Sequence, residues 1–422
     1  FPPPLPFFNL KFSFFNQTTA LMPLCFTLNC LYLWLLISEM KKIQMVDLGS
    51  QYQKIKSEVN ASINDVLESS AFINGPLVKE FQFNLEKYLG VKHVIPCANG
   101  TDALQIAMMG LGLKPGDEVI TTDFTFASTV EVIALLGLTP VLVDVCPNLF
   151  TINVESVEEA ITPKTKAIVP VHLFGHCANM EVIMDIASKH NLYVIEDCAQ
   201  SMGADYIFSN GQSFKSGAIG HVSATSFFPS KNLGCYGDGG AIFTNDDDLA
   251  HTIRGIVNHG MYTRYHHDVV GVNSRLDSIQ AAVLNAKLPH LDAYNKARQS
   301  AAKKYTEKLQ GIEALILPVV RCDQPNGAAS CNCHVFHQYT IRLIDGDRDA
   351  LVTHLNSKGI PCGVYYPIPL HRQKAYKSER YNEADFKVTN QLSNEVFSLP
   401  MHTELEDDQI DYIVNTIKEF LG

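Results

Sequence analysis

At 422 residues, with 46% hydrophobic and 18% charged residues, the chain is long enough for one large domain and a smaller one, and its composition excludes a disordered or fibrous polymer. A net charge of −11 with no basic stripe argues against nucleic acid or an anionic membrane as partner, while leaving room for a phosphorylated small ligand that needs only a local site. The 11 cysteines are scattered and mostly lack paired spacing, so they read as free cytosolic thiols rather than a disulfide framework.

The first 39 residues stand apart. They contain no Gly, Val, Asp, Arg or His, their only charges are Lys11 and Glu39, and they hold the single tryptophan, Trp34. The composition changes abruptly at Met40, and residues 1–39 read as upstream sequence translated in the same frame. The alternative is a membrane segment over residues 20–38, which are apolar and just long enough to span a bilayer. Protein beginning at Met40 is expected to be soluble and active; an insoluble or inactive preparation of residues 40–422 would show that the leading segment matters.

From Met40 onward the apolar spacing predicts a helix over residues 50–69, a break at Gly75-Pro76, and a second helix marked by Val78, Phe81, Leu85 and Leu89. Strands are expected at His93–Cys97, Glu118–Thr121, Pro140–Val145, Ala167–Val171, Leu192–Ile195, Val222–Phe227 and Gly240–Thr244. Helices intervene at Gly100–Gly110, Ala127–Leu136, Val157–Ile161 and Met180–His190. This alternation implies an α/β fold with a largely parallel sheet flanked by helices, ligands gathering at the carboxyl ends of the strands. A long helical stretch, Leu276 to about Leu309, completes a large domain over residues 40–310. A smaller C-terminal α/β domain, 311–422, is expected to hold strands Gln338–Leu343 and Gly363–Tyr366 and helices at Arg348–Lys358, 383–394 and 407–421.

Three strand ends carry chemistry. Cys97-Ala-Asn-Gly-Thr101 is a small-residue turn opening a helix, whose N–H groups and dipole suit a phosphate. Glu196-Asp197 ends an apolar strand, where a carboxylate can keep a pyridine nitrogen protonated. Lys231 sits among bulky apolar and small residues before a glycine-rich run; an amine in such surroundings loses its proton readily and becomes a candidate Schiff-base former. Alone, the turn caps a helix, the acid does the same, and the lysine is a surface loop residue. Their order along one sheet is far more specific. A further cluster, Cys331-Asn-Cys333-His334 with Cys322 and His337 nearby, fits no common zinc-finger spacing and reads as a loop insertion, so no metal is assigned.

With these motifs the chain resembles the DegT-type keto-sugar aminotransferases, a branch of the fold-type I pyridoxal phosphate (PLP) enzymes. The likeness runs from about residue 43 to the C-terminus and includes Asn99-Gly-Thr-Asp-Ala-Leu104, Glu196-Asp-Cys-Ala-Gln-Ser201, Ser226-Phe-Phe-Pro-Ser-Lys231 and Gly271-Val-Asn-Ser-Arg275. The resemblance implies a seven-stranded, mainly parallel sheet and pyridoxal 5′-phosphate as cofactor. It implies that Lys231 bonds to the cofactor and moves the proton, that Asp197 partners the pyridinium, and that Gln200 lies beside the phenolic oxygen. Gly100, Thr101 and Ser226 match the phosphate cup and Phe126 the aromatic stacked on the ring. Asn273 matches an asparagine reaching the phosphate from a partner subunit, which implies a homodimer with shared sites.

Arg264-Tyr-His-His267 and Tyr366-Pro-Ile-Pro-Leu370 most resemble the WbpE-type branch. Those enzymes aminate UDP-2-acetamido-2-deoxy-3-oxo-glucuronate with L-glutamate, in cytoplasmic synthesis of bacterial surface polysaccharide such as O-antigen. Arg275 then becomes the candidate for the hexuronate carboxylate, or else an interface ion pair. Tyr365 stands where the family often has histidine, beside Tyr366, and both would face the sugar nucleotide. Other 3-keto or 4-keto dTDP- or UDP-sugars remain alternative substrates. A sugar-dehydrating branch carries histidine in place of the lysine, so Lys231 speaks against it. A nonenzymatic PLP-binding sensor would normally carry a basic DNA-binding module, and none is visible. The glycines of Gly110-Leu-Gly-Leu-Lys-Pro-Gly116 follow a helix, which sets aside a dinucleotide-binding turn.

Overall fold

Two amphipathic helices lead into the sheet. The computed structural model describes residues 41–320 and 332–422. Helix α1 (Leu48–Ser69) is capped by Asp47, whose carboxylate accepts the Ser50 N–H, and it ends at Ser70 in the left-handed region. Helix α2 (Pro76–Leu89) opens on a proline that needs no donor there, and it buries Val78, Phe81, Leu85 and Leu89 along one stripe.

Strands and helices then alternate as the apolar runs predict: β1 (His93–Cys97), α3 (Gly100–Gly110), β2 (Glu118–Thr122), α4 (Ser128–Leu135), β3 (Thr139–Val143), α5 (Val154–Glu159), β4 (Thr165–Val169), α6 (Met180–His190) and β5 (Tyr193–Asp197). A small hairpin, β6 (Asp205–Ile207) and β7 (Ser213–Lys215), precedes β8 (Val222–Ser226) and β9 (Gly240–Thr244). The seven long strands form one sheet in the order β1-β9-β8-β5-β4-β2-β3. Five neighbours, from β3 to β8, run parallel, and β9 alone is antiparallel to both β8 and β1. The carboxyl ends of the parallel strands therefore share one edge with the start of β9.

Helices cover both faces. On one, Leu104, Ile106 and Met108 of α3 pack with Ile253 and Ile256 of α7 (Asp247–Ile256) against Ile95, Val119 and Ile195. On the other, Phe81 and Leu85 meet Phe227, Leu233 and Phe243, while Ile183 and Ile186 cover Val141 and Ile168. Side chains of this size contribute about 1.5–3 kcal/mol each when fully buried, so the two layers hold the edge rigidly.

A short ladder, β10 (Met261–Thr263) with β11 (His266–His267), follows α7. The expected helical stretch from Leu276 is divided into α8 (Ser278–Lys287) and α9 (Leu291–Leu309) by a 3₁₀ turn at Leu288–His290, because Pro289 cannot donate to an α-helical ladder. Beyond it, β12 (Leu315–Ile316), β13 (Tyr339–Leu343) and β14 (Val396–Leu399) make a three-stranded antiparallel sheet. It is accompanied by α10 (Arg348–Ser357), α11 (Lys387–Glu395) and α12 (Asp407–Leu421), and the described residues from Ile43 to Gly422 form one compact unit.

One predicted strand is absent. Gly363–Tyr366 makes only an isolated bridge, Gly363 with Ser398; Pro361, Pro367 and Pro369 flank the segment and cannot donate to extend a ladder beyond it, and its tyrosines turn into an aromatic cluster with Phe124, Phe150 and Phe174. The segment 1–39, its span 20–38, and Cys322 and Cys331 lie outside the described residues. Cys333 is disulfide-bonded, which corrects the expectation of free thiols at that position. Among the described residues no helix is long and apolar enough to cross a membrane, and no group of three or more His, Cys, Asp or Glu is placed to hold a metal.

Candidate active site

A cavity of ≈ 670 Å³ opens at the edge where the parallel strands end. Gly100, Thr101, Phe126, Asp197, Gln200, Ser226, Lys231, Tyr365 and Tyr366 all line it. Residues far apart in sequence meet there because each follows a strand of the same sheet or leans over its end.

One end of the cavity is an anion cup. Asn99 caps α3 by accepting the Asp102 N–H at 2.8 Å, which leaves the first-turn N–H groups of Gly100 and Thr101 without intrahelical acceptors. A Cβ at Gly100 would lie 2.7 Å from the Ser226 Cβ, and one at Gly240 would lie 2.4 Å from the Asn99 carbonyl. The start of α3 and the facing ends of β8 and β9 thus approach as closely as backbone allows, with the Ser226 and Thr101 hydroxyls at the rim. The positive end of a helix dipole with two hydroxyls suits a phosphate.

At the sheet edge lies Asp197, 5% exposed. One carboxylate oxygen accepts the Thr129 hydroxyl at 2.8 Å and the other accepts the Ala199 N–H at 3.2 Å. Burial pushes its carboxyl upward; the Thr129 and Ala199 bonds and the charges of Lys231 and His172 oppose that rise without cancelling it. A buried carboxylate facing a cavity is stabilised by a cationic ring N–H, so the site fits a pyridinium. Glu196, one residue earlier, points to the opposite face as strand alternation requires. It accepts from His172 Nε2, the N–H groups of Gly217, Ile219 and Gly220, and the Ser223 hydroxyl, and these bonds hold its carboxyl below the usual range. Glu196 anchors; Asp197 faces the chemistry.

Lys231 stands across from Asp197 on the loop between β8 and β9, its own N–H bonded to the Phe228 carbonyl. Among the described residues its amine has no hydrogen-bond partner, and Asp197 is the charge that faces it. Burial lowers its pKa to about 8, with Asp197 resisting the fall. A sizeable neutral fraction therefore exists near neutral pH, where an ordinary lysine has almost none. The rate at which cofactor-free protein takes up pyridoxal phosphate is expected to rise with pH to a midpoint near 8, read by stopped-flow absorbance; a midpoint near that of free lysine would contradict this environment.

Gln200 accepts the Phe174 N–H at 2.6 Å and donates to the Tyr366 hydroxyl at 3.3 Å. Phe126, 58% exposed, lies 6.4 Å from the Tyr366 ring. Asn273 and Arg275 do not reach this cavity. Asn273 is exposed and bridges to Asn258, while Arg275 approaches His259 Nε2 at 3.3 Å.

Several lining residues are not among the sequence candidates: Phe174, Phe228, Asp238, His337 and Gln338, with Thr129 behind Asp197. His337, grouped by spacing with the cysteine cluster, instead faces the cavity. Its Nδ1 is 3.3 Å from the Asn232 amide oxygen, and burial beside Lys231 and Arg298 keeps its imidazole far below the ordinary pKa.

A mainly parallel seven-stranded sheet that gathers an anion cup, a buried aspartate and a loop lysine at one edge is the arrangement of a fold-type I PLP-dependent transferase. Residues 53–418 match the model of the DegT/DnrJ/EryC1/StrS aminotransferase family, and the chain belongs to that family. It is 46% identical over 378 residues to a pleiotropic regulatory protein of Geobacillus stearothermophilus, covering 90% of this chain and 98% of that one. It is 45% identical over 371 residues to the UDP-2-acetamido-2-deoxy-3-oxo-D-glucuronate aminotransferase of Pseudomonas aeruginosa, covering 88% and 98%. The crystal structure of NtdA from Bacillus subtilis with bound cofactor PMP superimposes with a TM-score of 0.81 at 30% identity, covering 91% of this chain and 86% of that one. The chain is a PLP-dependent aminotransferase.

Proposed function

We propose that the protein moves the amino group of L-glutamate to a nucleotide-linked keto sugar, UDP-2-acetamido-2-deoxy-3-oxo-glucuronate, in the cytoplasmic synthesis of bacterial surface polysaccharide such as O-antigen. The observation that carries this is the pairing of Lys231 with Asp197 across a cavity large enough for a sugar, in a chain 45% identical to the P. aeruginosa enzyme. Pyridoxal phosphate, when bound, supplies the electron sink that lets an amine and a carbonyl exchange partners.

The chain's own groups do the rest. The Gly100–Thr101 turn and Ser226 would hold the phosphate, and Phe126 would flank the ring. Asp197 would keep the ring nitrogen protonated, and Gln200 would serve the phenolic oxygen. Lys231 takes the proton from the α-carbon of glutamate and later delivers one to the sugar carbon, a task its lowered pKa suits. Tyr365 and Tyr366 form the wall on the sugar side.

Asn273 and Arg275 act in the cavity of a second copy, so the working unit is a homodimer. Their placement outside the cavity of their own chain supports this, as do exposed apolar residues nearby in the chain, Tyr265 (75%) and Val270 (85%). Arg275 then offers its fork to the hexuronate carboxylate.

Turnover of glutamate with a panel of 3-keto and 4-keto UDP- and dTDP-sugars tests the reading. The 3-keto hexuronate should be preferred, and Arg275→Ala should erase that preference over the neutral 3-keto sugar. Preference for another sugar would reassign the substrate. Cofactor binding without turnover of any sugar would favour a sensor, a reading supported by the similarity to the G. stearothermophilus regulatory protein.

A further inference from the structure

The wall formed by Tyr365 and Tyr366 has almost no backbone support. Its segment makes one isolated bridge, at Gly363, and the flanking prolines at 361, 367 and 369 have no N–H with which to extend a ladder on either side. Behind it the tyrosines rest on an aromatic cluster, with Tyr366 edge-on to Phe124 at 6.0 Å. Ahead of it the chain is tied down by a buried pair outside the cavity. Asp123, 1% exposed, follows β2 directly and lies three residues before Phe126; His371, 6% exposed, lies five residues after Tyr366.

One Asp123 oxygen accepts the His371 backbone N–H at 2.7 Å, the other faces His371 Nδ1 at 2.6 Å, and the Asp123 carbonyl accepts the Leu370 N–H at 3.3 Å. The imidazole stacks on Phe386 at 4.3 Å, and its Nε2 lies 3.4 Å from a Glu383 oxygen, itself paired with Arg372. Two loops that both line the cavity, with Phe126 and Tyr366 side by side at 6.4 Å, are thus bolted together by a single carboxylate that donors reach from both main chain and side chain.

We propose that Asp123 and His371 are a positioning pair that sets the spacing between Phe126 and the Tyr365–Tyr366 wall, and through it the grip on the sugar nucleotide. This rests on reading the two tyrosines as the sugar-facing wall. Neither residue of the pair lines the cavity. Losing a charge-assisted tether should loosen the wall more than it disturbs the Lys231–Asp197 centre, which is held by the sheet.

The test compares Asp123→Asn, His371→Gln and the double variant as holoenzymes. Each single variant should raise KM for UDP-2-acetamido-2-deoxy-3-oxo-glucuronate about tenfold, while the glutamate half-reaction changes less than about twofold. Hydrogen exchange of residues 362–372 should quicken, and the double variant should be no worse than Asp123→Asn alone, since the Nδ1 contact removed by His371→Gln ends on that same carboxylate. An unchanged sugar KM would overturn the proposal. So would equal losses in both half-reactions with a lowered melting temperature, since that marks a merely structural role. If the wild-type protein aminates no nucleotide sugar, the proposed function falls instead, and the exchange rates and their non-additivity still decide whether the pair holds the wall.

Discussion

Lys231→Ala is expected to lower turnover by at least about ten-thousandfold, because one side chain is asked to do two jobs. In the proposed function it bonds to the cofactor at rest and carries the proton between carbon atoms during transfer. Neither of two other lining residues replaces it: His337 is held neutral by burial, and burial pushes the Tyr366 hydroxyl pKa up, so neither is a ready base of the right strength. The visible absorption band of the lysine-bound cofactor should vanish while the phosphate cup still retains the cofactor. A variant with the wild-type band and near-normal rates would refute the assignment. The dehydrating branch of the family offers a second check, since Lys231→His should not recover transamination.

Asp197→Asn should cost roughly a hundred- to a thousandfold in rate with a much smaller change in thermal stability. The amide keeps the shape and can still accept the Thr129 hydroxyl, but it no longer offers a charge to a pyridinium. Because burial already pushes the Asp197 carboxyl upward, removing its charge relieves a strained group rather than breaking a stable one. The sign follows: its raised pKa destabilises the cofactor-free fold above the ordinary aspartate pKa, and bound cofactor supplies the compensating cation. The cofactor-free Asn variant should therefore melt no lower than cofactor-free wild type, and melting curves with and without cofactor would separate the two effects.

Much of this was legible from residues alone, for physical reasons. The central strands are short apolar runs bounded by turn residues, and buried parallel strands rarely look like anything else. Asp197 and Lys231 are chemically conspicuous where they stand. Thr129 and His337 are not: a threonine in a helix's first turn and a histidine beside a cysteine-rich loop have commonplace explanations, and only folding brings them to Asp197 and Lys231. Strand β14 hides because Val396–Leu399 follows α11 with no intervening turn residue. Conversely, the valine and two tyrosines of residues 363–366 have strong strand preference, and the surrounding prolines overrule it. The roles proposed for Asn273 and Arg275 are readable only through likeness, because neither residue lines the cavity of its own chain.

The reversal of β9 has a consequence for how the enzyme tolerates change. Because that strand runs against its neighbours, the loop leaving Ser226 and returning at Gly240 has both feet on the rim of the cavity. Lys231 is carried on a short span pinned at each abutment, whereas the parallel connections must travel the length of the sheet and can absorb slack on the far side. An inserted residue between 232 and 239 would be transmitted straight to the amine. The same insertion in the loop before β3 or β4 would be lost on the opposite edge, so natural variation in length should be scarce in the first place and common in the second.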